Sequence, residues 1–325
     1  MVSAADHADG TVDWAGGWRG EQFTHEAFVF SDDDAVRARV VPFVEEGLSR
    51  GEPVIVVADG PVRGVLTAEM GSRIDELVVF SSSHDFWLGG HETLAAYQQS
   101  MQPLLAAGAP WRLVGQPTWL TEPGGEVWSR FEAVANQAFV DYPYYSLCLH
   151  DRRRLPAEVV DTQMRVHPLV WDGDAPVRCP DYQPTDVFLR EAEPTWTPDS
   201  DVRTVVVDDL VTGPSTVGAW LDLHLMGSRG PDARLAVHEL VVNALQAAGA
   251  AEVSQWEDDG SVVWQVRDSG HGVADPTTGY VLPMDDLESG RGLWTARSLA
   301  DDSTVRCTDE GTTVQLLFRP GRTEA

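Results

Sequence analysis

The segment His238-Glu239-Leu240-Val241-Val242-Asn243-Ala244-Leu245-Gln246 sets a carboxylate and a side-chain amide four residues apart inside an apolar run. The surrounding stretch Pro231–Ala248 has helical periodicity, so Leu235, Glu239 and Asn243 fall on one face of a single helix. With Leu240, Val241, Val242 and Leu245 as neighbours, the pair is expected within a largely buried helix, where polar groups need partners. Alone, it would equally suit a hydrogen-bonded structural pair or a solvated helix edge.

Three further elements follow in order. Asp268-Ser269-Gly270-His271-Gly272 closes the strand Ser261–Arg267, which pairs as a hairpin with Glu252–Glu257 around Asp258-Asp259-Gly260. Ser289-Gly290-Arg291-Gly292-Leu293 stands before the helix Leu293–Ala300, where exposed N–H groups and the positive end of the helix dipole suit a phosphate. Gly311-Thr312-Thr313 opens the last strand, Thr312–Phe318, after the strand Thr304–Cys307. A glycine pair by itself is usually a turn. The order and spacing of all four elements carry the information. Upstream, Thr204–Val207 reads as a strand and Ser215–Met226 as a helix.

With these motifs in place, the C-terminal 120 residues or so resemble the GHKL ATPase superfamily (gyrase, Hsp90, histidine kinases, MutL), and within it the anti-sigma-factor serine kinases. HELVVNALQ resembles the asparagine box, DSGHG the first glycine box, SGRGLW the second and GTTVQL the last strand. The resemblance implies a GHKL (Bergerat) α/β sandwich with a lid, here Val273–Glu288, closing over ATP and Mg²⁺. It implies that Asp268 accepts from the adenine amino group, that Gly270 and Gly272 admit the base, and that Thr312 supports it. Asn243 would coordinate Mg²⁺, Gly290 and Gly292 would permit the phosphate turn, and Glu239 would be the general base. Two departures from the family pattern stand out. Ala247 and Ala248 stand where a histidine-glycine pair is usual, and Glu288 stands where the anti-sigma kinases carry an arginine for the γ-phosphate, with Arg291 available as a substitute. A serine/threonine kinase and a catalytically inactive nucleotide-binding pseudo-kinase both remain open. A histidine kinase is disfavoured, because residues 172–230 hold no phospho-acceptor hairpin and His224 lies too close to the nucleotide fold.

The N-terminal half alternates apolar strands with amphipathic helices: Ala27–Phe30, Pro53–Ala58, Leu77–Phe80, Trp111–Gly115 and Tyr145–Leu149, with helices Ala35–Arg50, Glu92–Ala107 and Glu126–Val140. That pattern predicts a mostly parallel sheet covered by helices. HEAFVF, GEPVIVVA, YSLCLHDRRRLP and MRVHPLV resemble the methanogen and methylotroph sensory domain, which implies a RecA-like fold and a regulatory role. The position of a RecA-type phosphate loop holds Ala58-Asp59-Gly60-Pro61-Val62-Arg63-Gly64, with no lysine, so no second ATP site is expected there. His25, Asp151, Arg152 and His167 are candidate signal-pocket residues, against the plainer alternative of satisfied structural groups. Cys148, Trp119, Trp128 and Phe131 read as packing.

Composition sets the outer bounds. Length 325 with 43% hydrophobic and 23% charged residues predicts two globular cores. A net charge of −28 disfavours direct contact with nucleic acid or anionic membrane surfaces. All 23 basic residues are arginine, which excludes lysine chemistry and leaves the GHKL-type site untouched, since that site uses none. The three cysteines, Cys148, Cys179 and Cys307, lack paired spacing, so neither a disulfide framework nor a zinc site is expected. No apolar run is long enough to span a membrane and no signal peptide is visible, which predicts a cytoplasmic protein. The expected organisation is a flexible start at 1–20, a sensory domain at 21–171, a proline-rich semi-rigid linker at 172–201 and the ATPase domain at 202–320. Together the two resemblances imply a regulator of transcription that partners an alternative sigma factor and an anti-anti-sigma antagonist. A homodimer is left open.

Overall fold

The computed structural model describes residues 18, 20–88, 90–198, 202–221, 228–273, 275, 277–281 and 291–319. Most of the expected flexible start at 1–20, the end of the helix predicted to Met226, most of the lid, and Glu288, Ser289 and Gly290 lie outside these residues, but Trp18 is described and is buried in the N-terminal core, which corrects the expectation at that position.

The N-terminal elements run β1 (Thr24–Phe30), α1 (Asp33–Ser49), β2 (Val54–Val57), α2 (Gly60–Met70), β3 (Val79–Ser81), α3 (Gly90–Ala107), β4 (Trp111–Gly115), α4 (Glu126–Ala138), β5 (Tyr144–Asp151), α5 (Ala157–Val166), β6 (Leu169–Trp171), β7 (Pro176–Arg178) and α6 (Thr185–Ala192). Among the described residues, seven strands form one sheet in the order β3-β2-β4-β5-β1-β6-β7, parallel except for the edge pair β6–β7. This is the mostly parallel α/β architecture expected from the alternation. The central strand β5 is buried along its whole length, which explains why its sequence YYSLCLHD shows no polar alternation. Apolar side chains cover both faces: Val40, Phe43, Val44 and Leu66 on one, and Tyr97, Met101, Trp128 and Phe131 on the other.

The segment 172–201 is more than a linker. Pro176 opens edge strand β7 against β6, and Pro184 caps the start of α6, whose Phe188 packs with Ala133 of α4 and with Val166. Proline is tolerated at an edge strand and just before the first helical turn, so its accumulation here starts elements instead of preventing them. Where a RecA-type ATPase would cradle phosphate, the Asp59 carboxylate accepts from Ser83 Oγ at 2.8 Å and from Arg154 at 2.7 Å.

The C-terminal elements are β8 (Arg203–Val207), α7 (Gly213–Trp220), α8 (Gly230–Ala248), β9 (Ala251–Asp258), β10 (Ser261–Asp268), α9 (Arg291–Leu299), β11 (Asp302–Thr308) and β12 (Gly311–Phe318). Five strands form a separate antiparallel sheet in the order β11-β12-β10-β9-β8. Its inner face (Val253, Trp264, Val266, Leu316) packs on Ala236, Val237, Leu240, Val241 and Ala244 of α8 and on Leu293 and Ala296 of α9.

The two halves meet along a polar, buried seam. Arg130 of α4 pairs with Asp302 of β11, both side chains almost fully buried. His91 of α3 shares Ser303 with Arg297 of α9, each at 3.0 Å. Glu193 accepts from Thr304 Oγ1 at 2.9 Å and from the backbone N–H of Val305 at 3.2 Å, satisfying a donor on edge strand β11. Tyr280, within the expected lid, is buried against Val134 and Leu189; its carbonyl accepts from Gln98 at 2.6 Å and its hydroxyl donates to Glu193 at 3.1 Å.

The seam is expected to respond to pH. Burial, with Arg297 and Arg130 alongside, holds the His91 imidazole well below its ordinary 6.5. Asp302 and Tyr280 also face this seam. Above about pH 6.5 neither the folded nor the unfolded chain protonates His91. Below it, the unfolded chain takes a proton that the folded chain refuses, so His91 removes about 1.4 kcal/mol of stability per pH unit until it titrates in the fold. His25, His150 and His167 are buried and held low in the same sense, so the difference between wild type and variant isolates His91. The urea midpoint of wild type should fall between about pH 7 and pH 5 more steeply than that of His91→Gln; parallel curves would exclude this role.

Candidate functional site

Helix α8 buries Ala233, Ala236, Val237, Leu240, Val241 and Ala244 and turns its opposite stripe outward. Leu235 is 46% exposed, Glu239 half-buried and Asn243 exposed. The expectation that Glu239 and Asn243 lie inside a buried helix is therefore corrected: the stripe faces a groove. Val242 is only half-buried, so apolar neighbours in the sequence overstate how far the core wraps around α8.

One turn beyond Asn243 on the same stripe lies Ala247. The groove thus has two ends. At one end, a Cβ on Gly292 would meet Asn243 Nδ2 at 2.9 Å, Asn243 Oδ1 at 3.1 Å and Glu239 Oε2 at 3.1 Å. The absence of a side chain at 292 lets the first turn of α9 lie directly against the ends of these two side chains. The structure therefore joins the carboxylate, the amide and the N-terminus of α9, an arrangement in which the positive end of the helix dipole suits an anion beside a carboxylate and an amide oxygen. Arg291 is exposed at the same terminus.

At the other end, Asp268 and Thr312 are register partners at the paired ends of β10 and β12. Asp268 Oδ1 accepts the Gly270 N–H at 2.7 Å. Burial raises the Asp268 carboxyl above its ordinary value, opposed by the Gly270 N–H and the Thr312 hydroxyl. Gly272 has φ +78°, and a Cβ there would strike Cys307 at 2.9 Å. A Cβ on Gly270 would lie 3.1 Å from that of Ala247, so the first glycine segment rests against the far end of the α8 stripe. Glu239, Asn243, Asp268, Gly270, Gly272, Arg291, Gly292 and Thr312 thus border one groove, and Gly290 lies outside the described residues. His238 and His271 are exposed.

In the N-terminal half, His25 lines a pocket walled by aromatic side chains, whereas Asp151 is engaged by the Arg153 guanidinium and Arg152 is exposed. Of the four signal-pocket candidates, the fold brings His25 and His167 together, with their rings 4.0 Å apart. Sequence reasoning did not pick out Glu132, on the same pocket wall, or the Arg130–Asp302 pair. A charged residue inside the apolar stretch of α4 was the available signal.

Residues 24–168 match the family model of the MEDS domain (MEthanogen/methylotroph, DcmR Sensory domain), and residues 215–318 match that of the histidine kinase-like ATPase domain. The chain joins a MEDS domain to a histidine kinase-like ATPase domain. No curated protein matches it. A solved structure similar to part of it is that of the RsbU and RsbW domains of Rv1364c from Mycobacterium tuberculosis, at 21% identity over 36% of this chain and 32% of that one, with a TM-score of 0.27. The groove lies wholly within the ATPase domain, and the aromatic pocket lies within the MEDS domain. Among the described residues no helix is long and apolar enough to cross a membrane.

Proposed function

We propose that the ATPase domain binds ATP with Mg²⁺ in the α8 groove, and that the protein is an anti-sigma regulator under the control of its MEDS domain. In this reading it holds an alternative sigma factor and transfers phosphate to a serine or threonine of an anti-anti-sigma antagonist. The observation that carries the reading is the close approach at Gly292, which sets Glu239 and Asn243 against the N-terminus of α9.

When bound, MgATP supplies an activated phosphoryl group. Asn243 offers Mg²⁺ a single neutral oxygen, which suits an ion that keeps most of its ligands as water and phosphate. The N–H groups at the start of α9 and the Arg291 guanidinium offset phosphate charge. Glu239, half-buried beside Gly292, accepts the proton of an acceptor hydroxyl. Asp268, its carboxylate fixed by Gly270 and Thr312, accepts from the adenine amino group. Asp268→Asn turns that acceptor into an amide of either orientation. It should weaken ATP by about 1–3 kcal/mol while leaving affinity for inorganic triphosphate unchanged, as read by competition titration. Equal loss of both would remove Asp268 from base recognition.

Incubation of the full chain with radiolabelled ATP and candidate antagonists, alongside copurification of sigma factors from the host, tests the whole reading. Serine or threonine labelling of an antagonist supports it. Copurification of a sigma factor without any labelling would favour partner exchange by a pseudo-kinase, the second reading, which Ala247 and Glu288 favour because they replace side chains that the anti-sigma kinases use.

A further inference from the structure

Four buried side chains from separate elements of the MEDS domain converge behind its aromatic pocket: His25 of β1, Glu132 of α4, Cys148 of β5, and His167 directly after α5. One donor atom from each lies within 4.8 Å of the others. None of the four is more than 5% exposed.

The hydrogen bonds around the cluster fix which atoms face inward. His167 Nδ1 lies 2.7 Å from the carbonyl of Gln163, which can only accept, so Nδ1 carries the hydrogen and Nε2 is a bare lone pair. That Nε2 has no hydrogen-bond partner. The Asn136 amide donates to the carbonyls of Glu132, Ala133 and Val166, so its oxygen is left to accept from His25 Nδ1 at 2.9 Å. His25 Nε2 is then also a lone pair, 3.4 Å from Cys148 Sγ. Trp128 holds Glu132 Oε1 at 2.9 Å, and the Glu132 carboxyl also meets the Cys148 thiol. Two imidazoles locked by carbonyl oxygens in the same tautomer, with their free nitrogens converging on a thiol and a carboxylate, form the outer-shell pattern that orients metal ligands.

We propose that His25, Glu132, Cys148 and His167 bind a divalent transition-metal ion, with zinc as the best fit. Two nitrogens, one sulfur and one oxygen suit a tetrahedral ion of borderline softness. Bonds of about 2.0–2.3 Å place such ligands about 3.3–3.8 Å apart, so small side-chain rotations close the set. The Cys148 thiol gives up its proton on binding, and the thiolate and the Glu132 carboxylate then balance the charge of the ion in a buried site. His25, Glu132 and Cys148 also line the aromatic pocket, which is partly open to solvent and gives the ion a way in. The sequence conceals this site because its ligands lie on four elements, and only the adjacency of β1 and β5 joins two of them.

Cobalt(II) is the probe. The full chain, stripped with a chelator and verified as folded by circular dichroism, should bind one equivalent and show a thiolate-to-cobalt charge-transfer band together with the intense visible bands of tetrahedral cobalt. Zinc should displace it. Cys148→Ser should abolish the charge-transfer band and weaken binding by at least about 100-fold, while Cys179→Ser and Cys307→Ser keep the band. Asn136→Ala, which frees the His25 ring without removing a ligand, should keep the band and weaken binding about 10–100-fold. No stoichiometric cobalt binding by folded wild type, or a band that survives Cys148→Ser, overturns the proposal without variants having to fold.

Discussion

Glu239→Gln is expected to lower phosphoryl transfer to the antagonist by about 10²–10⁴-fold while ATP affinity stays within a few fold of wild type. Glutamine keeps the shape of the side chain beside Gly292 and removes its basicity, so the loss belongs to proton acceptance and not to packing. Glu239 is half-buried on the outward stripe of α8. Single-turnover transfer, with ATP affinity measured in parallel, separates the two effects. Equal transfer rates would make Glu239 structural, and a joint collapse of affinity and rate would place it in ATP binding.

Arg130→Met is expected to cost about 3–5 kcal/mol, because it leaves the Asp302 carboxylate buried without its partner. The pair bridges the MEDS domain and edge strand β11, so the same variant should loosen the contacts that hold Tyr280 and Glu193 over the ATPase sheet. Replacing both partners, as in Arg130→Met with Asp302→Leu, removes the orphaned charge and should restore much of the urea midpoint. If Arg130→Met alone leaves the midpoint unchanged, the pair is not desolvated in solution and the seam is not a rigid link. The seam matters for control, since a signal can reach the groove only through an element with different contacts in two states. Tyr280 is the natural element: it belongs to the expected lid and is clamped by Gln98 and Glu193.

The alternation of strand and helix was legible because buried parallel strands are continuous apolar runs, and Trp111–Gly115 falls where the sequence places it. The groove motifs were legible for a different reason: glycines at close approaches and a helical i, i+4 pair are local features. Long-range features were not. Pro176 and Pro184 read as linker residues because proline's effect depends on whether it opens an element or interrupts one. Tyr280 sits between a glycine and a half-buried valine in a loop-like stretch, and only the packing of Val134 and Leu189 shows it to be an anchor. The outward face of α8 was misjudged because hydrophobic neighbours along the chain do not say how wide the covered arc is; Leu235 lies outside it.

The central claim is that the groove bounded by Asn243, Gly292, Asp268 and Thr312 is a MgATP site. Calorimetric titration of the full chain with ATP in the presence of Mg²⁺ tests it most directly, with Asn243→Ala run in parallel. Saturable binding at one site per chain, lost on removal of Mg²⁺ and lost in the folded Asn243→Ala variant, is the predicted result. Absence of binding by the folded wild type, or binding that Asn243→Ala leaves intact, would contradict it.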